Sequence, residues 1–249
     1  MKNFLLPTLA LLLGTAACGS APTEEEYDDV ATSMSGILAD GAASETEAVD
    51  DAATAAQGQL PAAMTRAGQG NLQGRRGTVD YNFTLTCSDA AGAVLQACEG
   101  ADSAHLVLDW SGQVETARRS ATLERHGDWT LTGLTTAEAT LNGTGSLHVE
   151  GTFQALARAE MRSYVFDYQA EYQDVLVNRA ERRIVGGNAT YTISADRTAQ
   201  GALRNKERHF DVVAEVTFLG DGQAQVVLDG ERSYTVDLKN GAVSKNAAE

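Results

Sequence analysis

The cysteines are the residues of this chain best suited to covalent chemistry. There are three of them, Cys18, Cys87 and Cys98, and an odd number leaves one outside any internal disulfide. A tight turn at Gly92-Ala93 would place Cys87 opposite Cys98 across a hairpin, within bonding distance. Because their spacing is far from C-x-x-C, the pair is expected to be structural rather than redox-active. Cys18 is then the cysteine left for other chemistry.

The residues before Cys18 have the pattern of a cleavable export signal. Lys2 supplies a positive charge, the stretch 4–13 is apolar, and Gly14-Thr15-Ala16-Ala17 are small. Ten apolar residues interrupted by Pro7 are too few for a membrane span, which needs roughly 20. Residues 1–17 are therefore predicted to be a signal peptide.

The small residues followed by Cys18 resemble the lipobox of bacterial lipoproteins. This resemblance covers about twenty residues and implies that Cys18 carries acyl chains that tether the protein to a membrane. The lipobox usually has Leu three positions before the cysteine, where this chain has Thr15. Secretory cleavage after Ala17, without lipid, therefore remains the alternative. By analogy with enteric lipoproteins, Gly19-Ser20 in place of Asp favours the outer over the inner membrane of a Gram-negative envelope.

Histidines and carboxylates form no recognisable catalytic or metal-binding motif. The four histidines, at 105, 126, 148 and 209, lack H-E-x-x-H or zinc-finger spacing. His148 and Glu150 would share a strand face and could bind a metal, but a cross-strand ion pair is the commoner arrangement. Phosphate-binding and nucleophile-elbow motifs are absent from the sequence. We therefore expect no catalytic site, metal or cofactor, although the abundant carboxylates leave a hydrolase open as the weakest alternative.

An aromatic stripe is the most suggestive apolar feature. Tyr164, Phe166, Tyr168 and Tyr172 fall on one face of a predicted strand. The commoner explanation is a packed core. The alternative is the wall of a cavity for a hydrophobic ligand, as in curved-sheet carriers.

The body of the chain, residues 77–249, is predicted to be mainly β. Apolar and polar residues alternate from Thr78 onward, and no segment resembles a helical crossover. Six dipeptides between these alternating runs predict turns; they are His126-Gly127, Asn142-Gly143, Gly186-Gly187, Asp221-Gly222, Asp229-Gly230 and Asn240-Gly241. The pattern predicts an antiparallel meander of about ten or eleven strands, curled into a barrel, half-barrel or sandwich.

The segment 18–76 is predicted to be a lipid-anchored acidic leader. Residues 21–65 contain ten acids and no Lys or Arg, although helical spacing of Tyr27, Val30, Met34, Ile37 and Leu38 indicates a helix. A second helix is indicated over 44–56. We expect one or two loosely docked helices in a solvated, flexible tether, and a patch that binds a cation or a partner is the alternative interpretation of the acidic run. The alternative is that the apolar stripe caps an open end of the following domain.

Taken together, these features predict a membrane-tethered envelope lipoprotein with a non-catalytic structural or interaction module. The expected partner is a membrane, reached through the N-terminal lipid, with an envelope protein or a hydrophobic ligand as a second partner. The net charge of −15 argues against binding to nucleic acid.

Overall fold

The computed structural model of the protein describes residues 21–39, 44–68, 70–115, 119–154, 161–181, 183–199 and 206–247. The predicted signal peptide and Cys18 lie outside the described residues. Within the described ranges, two helices precede twelve strands. The helices are α1 (Glu24–Leu38) and α2 (Glu45–Ala56); the strands are β1 (Met64–Gly68), β2 (Asn71–Arg76), β3 (Val79–Ser88), β4 (Ser103–Glu115), β5 (Arg119–Thr132), β6 (Glu138–Gln154), β7 (Met161–Asn178), β8 (Arg183–Ala199), β9 (Lys206–Leu219), β10 (Gln223–Leu228), β11 (Arg232–Asp237) and β12 (Val243–Lys245).

Both helices begin at residues that satisfy their first backbone N–H groups. Thr23 caps α1 in a reciprocal capping box with Glu26, and Ser44 caps α2 by accepting from the N–H of Glu47. Acidic residues in each first turn favour the positive end of the helix dipole. The predicted helix around Val30 and Met34 is therefore present, and its apolar stripe is fully buried.

The predicted antiparallel meander is confirmed. All twelve strands form one sheet in which each strand pairs with its neighbours in sequence. The strand count is higher than expected because β1 and β2 lie within the segment predicted to be a tether. Leu72 of β2 pairs opposite Phe83 of β3 and is buried with it, so the sheet begins at Met64 rather than at residue 77.

Three predicted turns are correct and three are wrong. The turns at 221–222, 229–230 and 240–241 join β9 to β10, β10 to β11 and β11 to β12. His126-Gly127 instead lies inside β5, whereas Asn142-Gly143 and Gly186-Gly187 lie at irregularities of β6 and β8. A Cβ on Gly143 would lie 2.2 Å from the carbonyl oxygen of Asp128. This glycine therefore permits close approach of two strands rather than reversal of the chain.

The sheet curls around the two helices without closing. Among the described residues, β1 and β12 pair only with β2 and β11 respectively. Helix α2 contacts β3, β4 and β8, and α1 contacts β11 and β12, so the helices lie within the curve. We call the sheet surface that faces the helices the inner face and the opposite, solvent-exposed surface the outer face.

The predicted disulfide between Cys87 and Cys98 is present, with Cα atoms 5.2 Å apart. The tight turn predicted at Gly92-Ala93 is wrong, because Ser88 pairs with Val94 and residues 89–93 form the loop between them. The side chain of Asp89 accepts hydrogen bonds from the N–H groups of Ala91 and Ala93. These hydrogen bonds stabilise the loop 89–93. Cys98 follows that loop in the sequence and bonds to Cys87.

Candidate functional site

The four aromatic residues of the predicted ligand wall lie side by side on the inner face. Tyr164, Phe166, Tyr168 and Tyr172 alternate along β7 with exposed residues, and each is at most 4% exposed. The rings of Tyr164 and Phe166 stack with centroids 5.0 Å apart. The sequence therefore placed these residues on the right face.

The chain's own helices cover this wall. The hydroxyl of Tyr164 donates to Asp29 at 2.6 Å, and that of Tyr168 contacts Ser33 Oγ at 2.8 Å. Tyr172 donates to Glu45 at the start of α2. Between the helices and this part of the sheet the structure describes a cavity of only about 10 Å³, close to the minimum for one water molecule. The four rings therefore pack against the chain's own helices, and the cavity described beside them is too small for a hydrophobic ligand.

A larger pocket lies elsewhere, beside the disulfide. Its volume is about 390 Å³, and Leu72, Leu85 and Leu95 contribute to its lining together with both disulfide cysteines. None of the four aromatic wall residues lines it. The nearby Val94 is 70% exposed.

A buried ion pair occupies the centre of the inner face. The carboxylate of Glu45 accepts from Arg125, and their side chains are 1% and 3% exposed. Tyr172 and Tyr191 also donate to Glu45. The guanidinium of Arg125 lies 5.2 Å from the ring centroid of Trp110. A buried charge is tolerated only with such partners, so Glu45 holds α2 against the sheet.

A second group of ionic contacts holds the beginning of α1. Arg162 of β7 donates to Asp29 at 2.6 Å and also to Glu25. Glu26, which is fully buried, lies 3.1 Å from Arg208 Nε. Burial raises the pKa of Asp29, and the hydrogen bonds from Tyr164 and Arg162 oppose that shift. The first turns of α1 are therefore docked by charge as well as by apolar contacts.

The same pattern extends to the margins of the helices. Arg232 and Lys245 bind Glu24, and Tyr234 donates to Asp28 at 2.7 Å. At α2, Arg76 donates to Asp51 at 2.6 Å and to Glu47. Burial raises the pKa of Asp51 to about 7 despite the opposing hydrogen bond from Arg76.

The predicted solvated tether is therefore wrong for the described part of the leader. At least eight of the nine acids in this described part bind arginine, lysine or tyrosine side chains of the sheet; they are Glu24, Glu25, Glu26, Asp28, Asp29, Glu45, Glu47 and Asp51. The alternative expectation, that this segment covers an open part of the β domain, is closer to the arrangement found. These acids lie in a stretch without Lys or Arg, residues 21–65, and their charge is complementary to that of arginines on the strands.

A signal for this docking was present in the sequence and was missed. Arg125 alternates in phase with Leu123 and Trp129, and Arg162 with Tyr164, so both arginines fall on the buried face. An arginine at a core-facing strand position requires a buried anion. The base-free stretch with the most acids in the sequence is residues 21–65, which contains ten of them.

The histidines all lie on the outer face, each beside an aspartate. The pairs are His105–Asp128 at 2.7 Å, His126–Asp109 at 2.8 Å, His148–Asp167 at 2.7 Å and His209–Asp196 at 2.9 Å. His148 thus pairs with Asp167 across strands rather than with Glu150. Among the described residues no group of three or more His, Cys, Asp or Glu side chains could hold a metal ion.

An open depression of about 510 Å³ lies over β3 to β7 and includes the His126–Asp109 and His148–Asp167 pairs. Their side chains are about half exposed, so water competes for their polar atoms. Screened pairs of this kind contribute little to stability and leave the groups solvated. The arrangement is that of a polar, solvent-facing sheet surface.

Comparison of the chain with protein families, with curated proteins and with solved structures found no match in any of the three. No helix in the described part of the chain is long and apolar enough to cross a membrane. The fold class thus defined is an open antiparallel β-meander filled by two N-terminal helices.

Proposed function

We propose that this protein is a lipoprotein of the Gram-negative cell envelope whose β domain is a non-catalytic structural or interaction module. In this proposal, acyl chains on Cys18 tether the domain to a membrane, and the residues that follow Cys18 favour the outer over the inner membrane. The observation that carries the proposal is the filling of the inner face by the helices that follow Cys18. A module built in this way offers partners its outer face and its two sheet edges.

The buried carboxylates support a structural rather than a catalytic role. Glu45, Asp29 and Asp51 each bind arginine, and the first two also bind tyrosine hydroxyls. Groups engaged in this way hold helices in place. A hydrolase would instead need two titratable groups converging on a cleft that admits substrate, which is why it ranks last.

A carrier of a hydrophobic ligand or lipid is the second candidate. Its support is the buried aromatic stripe of β7, which the helices would have to leave before a ligand could bind. Native mass spectrometry of the purified protein separates the two candidates. A non-covalent lipid bound in defined stoichiometry would favour the carrier, and its absence would favour the module.

The tether is tested by the substitution Cys18→Ser. We expect the variant to lose membrane fractionation and incorporation of labelled palmitate, because acyl chains supply about 0.8 kcal/mol per buried CH₂ and nothing else in the proposal replaces them. The matched control is the double variant Cys87→Ser and Cys98→Ser, which should remain acylated. Unchanged membrane fractionation of the Cys18→Ser variant would refute the tether.

A further inference from the structure

The N-terminal end of α1 is fixed at one end of the curled sheet. Arg208, near the start of β9, donates to the carbonyl oxygen of Ala21, and Arg162, near the start of β7, binds Glu25. Tyr27 donates to Asp229, in the turn between β10 and β11, at 2.7 Å. We call this end of the sheet, where β7, β9 and β11 begin, the anchor end.

The chain between the tether and the anchor end is very short. Three residue steps separate Cys18 from Ala21. A fully extended chain advances at most about 3.6 Å per residue, so Ala21 lies within about 11 Å of Cys18 in any conformation. That reach is comparable to one headgroup layer of a bilayer. The chain from Cys18 to Ala21 therefore allows almost no separation of the anchor end from the lipid.

The opposite end of the sheet lies far from this point. Strand β7 contains eighteen residues, which corresponds to roughly 56 Å at about 3.3 Å per step. The turn between β7 and β8, which includes Glu181, lies at this opposite end. The loop closed by Cys87 and Cys98 is at the same end, because β3 ends there and β4 begins there.

Charge disfavours an arrangement in which the outer face lies on the lipid. On the described outer-face positions of β3 to β7 there is no Lys or Arg. Exposed acids occupy many of these positions; they include Asp80, Asp109, Glu124, Asp128, Glu150, Asp167 and Glu171. Such a surface is repelled by anionic headgroups, with the repulsion falling off over a Debye length.

From these two observations we infer that the domain stands on the bilayer by its anchor end, with the disulfide end and the acidic outer face directed away from the lipid. The inference rests on the proposed acylation of Cys18. The docking partner of the anchor end is the phospholipid surface that holds those acyl chains. Any protein partner is then met by the outer face or the disulfide end.

The test uses the full acylated protein in vesicles of phosphatidylethanolamine and phosphatidylglycerol. Single cysteines carrying an environment-insensitive fluorophore are placed by Glu231→Cys at the anchor end, Gln169→Cys on the outer face and Glu181→Cys at the opposite end. The vesicles contain lipids with a nitroxide near the headgroup. We expect loss of fluorescence at position 231 and unchanged fluorescence at 169 and 181.

A linker variant tests the short reach directly. Insertion of about twenty Gly/Ser residues between Ser20 and Ala21 gives a flexible tether with a root-mean-square length of about 25 Å. Quenching at position 231 should then be lost while the protein still floats with the vesicles. Retention of full quenching would overturn the argument from chain length.

The outcomes separate the orientation from the proposed function. Comparable quenching at 169 or 181 in protein that floats with the vesicles would overturn the orientation and leave the lipoprotein proposal intact. Failure of the mature protein to carry lipid or to float would refute the proposed function itself. Equal urea midpoints of the labelled variants and the parent protein would establish that each label reports on a folded domain.

Discussion

The contact between Glu45 and Arg125 provides the sharpest test of helix docking. The substitution Glu45→Gln keeps the size of the side chain and an acceptor oxygen for Tyr172 and Tyr191, but it removes the negative charge. Arg125 is then left as a buried cation, with its side chain 3% exposed. At present burial lowers and the neighbouring Glu45 raises the pKa of Arg125, with a net rise, so the guanidinium remains charged.

Removal of one partner from a buried ion pair costs about 3–5 kcal/mol, because the remaining charge is desolvated without compensation. We expect Glu45→Gln to fall near the lower figure, since the tyrosine hydrogen bonds can persist. Domains of ordinary stability unfold with about 5–15 kcal/mol, so this loss would shift the urea midpoint strongly.

Tryptophan fluorescence is a well-placed signal for this experiment. The chain has two tryptophans, and the guanidinium of Arg125 lies 5.2 Å from the ring centroid of Trp110 and 5.9 Å from that of Trp129. The matched control is Asp80→Asn, which removes the carboxylate bound to Arg75 in a pair whose side chains are 67% and 54% exposed. That variant should leave the urea midpoint nearly unchanged, because solvent-exposed ion pairs contribute little to stability.

Equal urea midpoints for Glu45→Gln and Asp80→Asn would refute the buried ion pair and the docking of α2. A further comparison distinguishes charge from packing. The double variant Glu45→Met and Arg125→Met should recover most of the stability lost in Glu45→Gln, because replacement of both buried charges by apolar side chains is often neutral or stabilising.

Three further predictions concern pH and the disulfide. Because burial raises the pKa of Asp51 in the folded protein from 3.8 to about 7, protonated Asp51 contributes its full stability below about pH 4, and this contribution is lost as the pH rises to about 7. Asp51→Asn cannot ionise, so in urea titrations its free energy of unfolding should rise relative to that of the parent protein as the pH increases over this range. A difference that does not depend on pH would contradict this prediction. Burial raises the pKa values of Tyr27 and Tyr81 to about 12 and also raises those of Tyr164, Tyr172, Tyr191 and Tyr234, so ultraviolet titration should find at least these six of the seven tyrosines still protonated at pH 10. Ionisation of most tyrosines near pH 10 in the folded protein would count against the buried network. The double variant Cys87→Ala and Cys98→Ala should lose about 3 kcal/mol in the chain-entropy description of a bond between residues 11 apart, and an unchanged urea midpoint would exclude that contribution.

Local sequence patterns predicted the strand faces well. Alternation along β7 placed Tyr164 and Tyr168 on the buried face, and alternation along β3 did the same for Tyr81 and Phe83. These predictions succeed because side chains of a strand point to opposite faces with a period of two, whatever the sheet packs against.

Turn signals were less reliable because the same residues serve two purposes. Asp221-Gly222 reverses the chain, whereas Asn142-Gly143 lies in an irregularity within β6. Both pairs tolerate unusual backbone angles. Whether such a pair forms a turn or an irregularity within a strand depends on how the neighbouring strand pairs with it, and the local sequence does not contain that information.

The sequence by itself determined the strand faces, the antiparallel class, the helical segments of the leader and the pairing of Cys87 with Cys98, because each depends on short-range geometry or on simple counting. Only the tertiary structure decided what covers the inner face. Glu45 meets Arg125 across 80 residues, and Asp28 meets Tyr234 across 206. A periodic pattern identifies a buried position but not the group that compensates its charge, because desolvation and pairing energies depend on which distant side chains the fold brings together.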